Sequence, residues 1–421
     1  MTIVQGLSPN LTKKDILISI SYLFSPWKWK KIRKGEFQNI LKDNFSKKFG
    51  FKFVFPVGKG REALFLALKI LDLEENDEVI LQGFTCTVVP RSVILAGGKP
   101  VFVDIDESLN IDINDLEKKI TNKTRAIIIQ HTLGIPFTKF DDLRKIIGNR
   151  KIVIIEDCAH SIGAKVKEKF VGNFGELAVF SFGRDKVLSS VNGGVLATNN
   201  ETLAQKIENY LTQNMKERSL KDVAKDLLHP IITGLIVLPL YDFFFFGKFL
   251  LFLLQKLHIL SKPISKKEIL LDDKKNTREI VTKFPSSLCE IALNQLENLD
   301  MFNKKRIETA KKYYELIKFP KQKFDNTSEP IFLRFSFFYE YPKIAKKIFK
   351  KEKIYLGSFW YEKVISPKGS NLDKLGYKIG SCLKAESFSK KVVNLPTNKE
   401  IDIKKLGKIL DKLDKLTRHQ K

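Results

Sequence analysis

Cysteine is scarce in this chain of 421 residues, and its four copies (Cys86, Cys158, Cys289, Cys382) include no CxxC pair. That spacing excludes a disulfide framework and a zinc site, and it fits a reducing cytoplasm. No metal is expected. Met1 to Leu7 shows no basic segment followed by an apolar core, so no signal peptide is expected and the location reads as cytoplasmic. Acidic residues are also short, 48 against 74 basic ones, which leaves a formal charge of +26. Such a balance suits nucleic acid, an anionic membrane, anionic small molecules, or simply a lysine-rich solvated surface. Zinc-finger spacing, a basic-aromatic ladder and a clear helix-turn-helix are all missing, which argues against nucleic acid. No internal repeat is apparent.

The chain is rich in buried-type residues. Hydrophobic residues make up 43% and phenylalanine occurs 33 times, which excludes disorder. This length can bury a large core with a second, smaller unit beside it. From residue 53 onward, short β-rich runs alternate with helical patterns. The runs are "FVFPV" (53–57), "EVILQ" (78–82), "VFVDI" (101–105), "AIIIQ" (126–130), "KIVIIED" (151–157), "LAVFSF" (177–182) and "GGVLATN" (193–199). Several are apolar throughout, as strands covered on both faces must be, and helical stretches such as "REALFLALKIL" lie between them. The alternation predicts an α/β domain with a mostly parallel sheet. Residues 199–220 read as a charged amphipathic helix. Residues 290–421 change to helices around "EPIFLRFSFFY", a smaller α+β unit.

Four segments follow: an N-terminal segment (1–50) packing with the small unit, a large domain (51–220), an apolar helical insertion (221–270) and a C-terminal small domain (271–421). The insertion holds "LLHPIITGLIVLPLYDFFFFGKFLLFLLQKLHIL" (227–260), interrupted by Pro230, Pro239, Asp242 and Lys248. A simple membrane span needs about 20 apolar residues with few charges. The interruptions predict a helical hairpin instead, lying in a membrane surface or packed on the protein. Lys221, Lys225, Lys256, Lys262, Lys266 and Lys267 flank it, and docking on the inner face of an anionic membrane is the expectation.

In a parallel α/β sheet, ligands bind beyond the carboxyl ends of the strands. Three features meet there. "VGKGREALFLALKIL" sets a glycine turn (Gly58, Gly60) at a helix start, where backbone amides and the helix dipole receive a phosphate. "KIVIIEDCAHSIGA" ends a buried strand with Glu156-Asp157, a carboxylate that either caps the next helix or takes a ligand's proton. Lys186 follows another strand end, in "SFGRDKVLSSVNGGVLATN". A lysine in such a mouth can be desolvated into an amine nucleophile, where any other surface lysine stays solvated. A phosphate turn, a strand-end aspartate and a strand-end lysine in this order suit pyridoxal 5'-phosphate (PLP). The lysine bonds to the cofactor, the aspartate keeps the pyridine nitrogen protonated and the helix end holds the phosphate.

On these motifs the chain resembles the DegT/DnrJ/EryC1/StrS family of PLP-dependent sugar aminotransferases. "GREALFLALKILDLEENDEVILQGFT", "AGGKPVFVDIDESLNIDINDLEKKIT" and "IEDCAHSIGAKVKEKFVGNFGELAVFSFGRDKVLSSVNGGVLATN" carry the likeness, which resumes weakly at "AESFSKKVVNLPT" (385–397). The resemblance implies the type I, aspartate-aminotransferase-like fold and a homodimer with active sites between subunits. It implies Lys186 as the Schiff-base lysine and Asp157 as the pyridine-nitrogen partner. His160 stands where the family usually has a glutamine bonding the phenolic oxygen. Ser181, Gly60 and Arg61 fall at phosphate positions, with Arg61 replacing a small hydroxyl residue. Cys86 takes the ring-stacking position, where an aromatic is common, and Phe84 is a nearby alternative. One branch of the family carries histidine at the lysine position and deoxygenates sugars, so Lys186 favours amino transfer.

The implied reaction moves an amino group from an amino acid, glutamate first, to a nucleotide-linked keto sugar for surface glycan synthesis. The rival is a catalytically inactive, membrane-associated scaffold or regulator with the same fold. His131, at a strand end, is open between a substrate contact and a structural hydrogen bond. "SPWKWKK" (25–31) and "YLGSFWYEK" (355–363) read as packing elements first, and as sugar or diphosphate contacts second.

Overall fold

The structure is a computed structural model that describes residues 2–7, 10–244, 246–257, 259–260, 280–357, 363–367 and 369–419. Its centre is a seven-stranded sheet. In spatial order the strands are Phe53–Val57, Gly194–Thr198, Leu177–Ser181, Val153–Asp157, Thr124–Gln130, Glu78–Gln82 and Lys99–Val103. Neighbours from Leu177–Ser181 to Lys99–Val103 pair parallel. Gly194–Thr198 runs antiparallel to both of its neighbours, which makes the sheet mixed at that edge.

Side chains alternate across the sheet with the period of two that a pleated strand imposes. Leu177 and Val179 join the helix Gly60–Lys69 in one apolar cluster. Ala178 and Phe180 instead join the helices Phe37–Phe49 and Ser286–Glu297 in another. Ile127, Ile129 and Ile154 pack with the helices Ile113–Lys119 and Phe140–Ile147. Burial on both faces explains why these runs are apolar without interruption.

The C-terminal part has its own cluster. Arg334–Phe338 pairs antiparallel with Val392–Pro396, and the helices Leu299–Leu316, Pro342–Lys351 and Ile403–His419 close over them. From the N-terminal segment, Ile3–Val4 pairs there alongside Ile354–Tyr355. The helices Lys13–Phe24 and Phe37–Phe49 of residues 1–50 also meet the C-terminal segment, through the helix Ser286–Glu297, and Arg306 donates to Asn10 Oδ1 at 2.8 Å. Ile18, Tyr22, Leu41, Phe45 and Phe49 bury against the large sheet and the helix Ser286–Glu297. Asp15 fixes that contact by accepting from Asn294 and Gln295 at 2.7 and 2.6 Å.

The apolar insertion forms a helix (Leu220–Ile232), a π-turn (Thr233–Val237) and a second helix (Phe246–Lys256). The first packs on the helix Lys13–Phe24. The second buries only Gly247, so its phenylalanines stay outside. Among the described residues, no helix is long and apolar enough to cross a membrane. Lys262, Lys266 and Lys267 lie outside the described residues, as do residues 358–362 of "YLGSFWYEK". "PWKWKK" is a short 3-10 helix with no buried residue; Trp27 is 77% exposed, so it is not the packing element expected.

Candidate active site

One pocket at the carboxyl ends of the central strands gathers Gly60, Arg61, Cys86, Asp157, His160, Ser181 and Lys186. These are the residues the sequence singled out. Phe84 is not with them; it is fully buried in the core cluster of the helix Gly60–Lys69. His160 is the one aromatic ring among the described lining residues.

The helix Gly60–Lys69 starts directly after the strand Phe53–Val57, and its N-terminus abuts Ser181. A Cβ on Gly60 would stand 2.5 Å from Ser181 Cβ and 2.6 Å from its Oγ. Only glycine lets the helix end approach the strand this closely. The helix dipole places positive potential at this end, so it is an anion cradle beside a serine hydroxyl. Glu62, in the first turn, is occupied elsewhere: it accepts from the Thr282 N–H and hydroxyl at 2.8 Å each.

The adjacent carboxylates Glu156 and Asp157 part company because neighbouring strand residues face opposite sides. Glu156 accepts from the N–H groups of Gly172, Phe174 and Gly175 (2.7, 2.6 and 2.6 Å) and lies 3.0 Å from His131 Nε2. It is structural. His131 therefore makes a buried hydrogen bond and does not line the pocket. Its Nδ1 accepts the Phe137 N–H at 3.1 Å. Asp157 turns into the pocket, where Oδ1 accepts the Ala159 N–H at 3.0 Å. Burial raises its carboxyl above the ordinary value, and the Ala159 hydrogen bond and the Lys186 ammonium oppose that. A buried carboxylate in this position is built for a cationic N–H partner.

His160 is held well below its usual value by burial, then by Lys186 and Arg334. The neutral ring accepts the Leu133 N–H on Nδ1 at 3.4 Å, so its proton resides on Nε2. That tautomer is a hydrogen-bond donor. Cys86 sits in a short strand paired with Ile365–Ser366, and burial raises its thiol, so it enters the pocket as a neutral apolar wall.

Lys186 rides on a loop pinned at both ends. Phe182 N–H bonds to Gly193 O at 2.9 Å, Ser190 N–H to Phe182 O at 3.0 Å, and Lys186 N–H to Gly183 O at 3.1 Å. The insertion helix holds the same loop, because Asp226 accepts from Asn192 at 2.9 Å and from Arg218 at 2.6 Å. Burial lowers Arg184 to about 10, and Asp226 and Asp185 draw it back up.

Sequence reasoning missed several lining residues, among them Gln5, Lys59, Gln130, Asn192, Arg334 and Asn394. Gln130 had a signal, a polar residue closing an apolar strand, and it pairs with Asp157 across the sheet. Arg334 had one too, a lone charge in "IFLRFSFF"; its Nη2 lies 3.7 Å from Asp185. Gln5 had none, since only the fold brings it to the pocket.

The DegT/DnrJ/EryC1/StrS aminotransferase family model matches residues 24–231. GDP-perosamine synthase of Escherichia coli O157:H7 is 32% identical over 216 residues, 51% of this chain and 58% of that protein. The spore coat polysaccharide biosynthesis protein SpsC of Bacillus subtilis (strain 168) is 34% identical over 200 residues, 47% of this chain and 50% of that one. The chain thus aligns with little more than half the length of these relatives. The crystal structure of a DegT DnrJ EryC1 StrS aminotransferase from Brucella abortus superposes with a TM-score of 0.71 at 17% identity, covering 96% of this chain and 95% of that one. At that identity the likeness is one of fold, the type I architecture expected from the motifs.

Proposed function

We propose, on the premise that residues 24–231 belong to the DegT/DnrJ/EryC1/StrS aminotransferase family, that this chain is a PLP-dependent aminotransferase. It moves an amino group from an amino acid, glutamate first, to a nucleotide-linked keto sugar for surface polysaccharide synthesis. The observation that carries the reading is the convergence of a helix N-terminus with Ser181, the buried carboxyl of Asp157 and the amine of Lys186 in one pocket. Those residues fit the cofactor: an anion cradle for the phosphate, a carboxylate for the pyridine N–H, a neutral imidazole donor for the phenolic oxygen.

When bound, PLP supplies an electron sink for the bond broken at the substrate carbon. The protein does the rest. Asp157 Oδ would hold the protonated ring nitrogen of the cofactor, a pairing its dry surroundings would strengthen. His160 Nε2–H would donate to the ring oxygen. Lys186 Nζ takes the proton from the amino-bearing carbon of the donor and returns one to the acceptor sugar's carbon. The pinned loop keeps that amine within reach.

Purified protein incubated with PLP, glutamate and a panel of nucleotide-linked keto sugars should yield an amino sugar detectable by mass. Transfer that persists in Lys186→Ala, or no transfer with any member, would overturn the assignment.

The proposed working unit is a homodimer acting in the cytoplasm at the inner face of the membrane. Phe243, Phe244, Phe249 and Phe252 are 62, 88, 61 and 62% exposed beside Lys248 and Lys256. Trp27 and Trp29 stand exposed among Lys28, Lys30 and Lys31. Apolar insertion and attraction of each lysine to anionic lipid, about 1 kcal/mol apiece, act together. The protein should pellet with anionic vesicles and be partly released by salt. If it remains in the supernatant as fully as Phe244→Ser/Phe249→Ser/Phe252→Ser, the membrane reading fails.

A further inference from the structure

Gln5 is the one residue that both lines the active-site pocket and carries a buried side-chain atom without a hydrogen-bond partner, among the described residues. Its side chain is pinned. Ile3 and Val4 pair with Ile354 and Tyr355, and the Gln5 N–H bonds to Tyr355 O at 3.0 Å. Its Oε1 then accepts the Gly357 N–H. That acceptor role fixes which end of the carboxamide is oxygen. Nε2, with two donor hydrogens, is left with no acceptor among the described residues, although Gln5 is only 8% exposed. A buried donor without a partner is costly, and in a pocket a ligand can complete it.

We infer that Gln5 is a specificity residue whose Nε2–H donates to a neutral oxygen, hydroxyl or carbonyl, of the nucleotide-linked keto sugar. The inference rests on the aminotransferase reading and deepens it. The sugar is favoured over the amino donor by charge. A carboxylate in this pocket meets Arg61, Arg184, Lys186 and Arg334, whose charged hydrogen bonds are about twice as strong as a neutral amide's. The neutral donor is matched to a neutral oxygen. Its carrier strand is also the only part of the N-terminal 50 residues in the described pocket lining.

Gln5→Glu tests this directly, because it retains an oxygen for Gly357 and puts a carboxylate oxygen where the Nε2 donor was. Gln5→Leu is the second variant, removing both. The two half-reactions are followed separately: the cofactor's absorbance on adding glutamate, then its return on adding keto sugar. In both variants kcat/KM for the keto sugar should fall by roughly tenfold. The glutamate half-reaction and PLP affinity should stay within about twofold. Calorimetric binding of the nucleotide sugar to PLP-loaded protein should weaken in parallel. If wild type binds nucleotide sugar but transfers nothing, the aminotransferase reading falls, while weaker binding in Gln5→Glu still supports the residue's role. Equal losses with glutamate and sugar, or unchanged sugar binding in Gln5→Glu, overturn the inference.

Discussion

Gly60→Ala separates a packing requirement from a helix preference. Alanine is the better helix former by about 0.8–1.0 kcal/mol. Against that, its Cβ would lie 2.5 Å from Ser181 Cβ, 2.6 Å from Ser181 Oγ and 2.9 Å from Ser181 Cα. Carbon atoms rest at about 3.5–4.0 Å, so the helix end must retreat by roughly 1 Å. The third neighbour is backbone of a central strand and cannot rotate aside. Overpacking of this kind costs about 1–3 kcal/mol, which outweighs the helix gain. The retreat also opens the anion cradle, and the dissociation constant for PLP should rise about tenfold. Urea denaturation and absorbance titration of PLP into cofactor-free protein measure the two effects. Gly407→Ala is the control: nothing lies within 4 Å of its added Cβ inside the helix Ile403–His419, so it should gain stability by up to about 1 kcal/mol. Wild-type stability and PLP affinity in Gly60→Ala would refute the close approach.

Three further outcomes are expected. Asp226→Asn removes the charge paired with buried Arg218 and should cost about 3–5 kcal/mol, read as a lower urea midpoint at unchanged slope. Asp157→Asn should lose most turnover and hold PLP poorly, since the pyridine nitrogen loses its charged partner; near-normal kinetics would place that role elsewhere. His160 and His229 are both held well below the usual histidine value, by burial first and then by nearby cations. Below about pH 6.5 the unfolded chain binds protons that these two refuse in the fold, so their stability contribution, complete above that pH, is lost on acidification. In cofactor-free protein each histidine should account for up to about 1.4 kcal/mol per pH unit of that loss, and the double glutamine variant should flatten the profile between pH 6 and 5. An unchanged profile would contradict their neutral burial.

The sheet was readable because burial on both faces writes itself as unbroken apolar runs; all seven runs became its strands, with ends shifted by a few residues. The antiparallel direction of Gly194–Thr198 was not readable, since direction leaves no mark on a strand's composition. Lys186, Asp157 and the glycine turn were visible as polar or glycine residues closing apolar strands. Period-two alternation then explains why Asp157 reaches the pocket and Glu156 does not, although the letters alone leave the pair equivalent. Gln5 and Arg334 enter from segments far away in sequence, which only tertiary pairing reveals. For segment 1–50 the sequence shows less, because amphipathic helices announce that they bury a face without saying against what.

The central claim is that Lys186 Nζ is the amine that engages PLP. Wild-type protein loaded with PLP and reduced with borohydride fixes the pyridoxyl group covalently, and peptide mass analysis then locates it. One label per chain on Lys186, absent from Lys186→Ala of unchanged fold, is the predicted result. A label on another lysine, or stoichiometric labelling that survives in Lys186→Ala, would contradict the account.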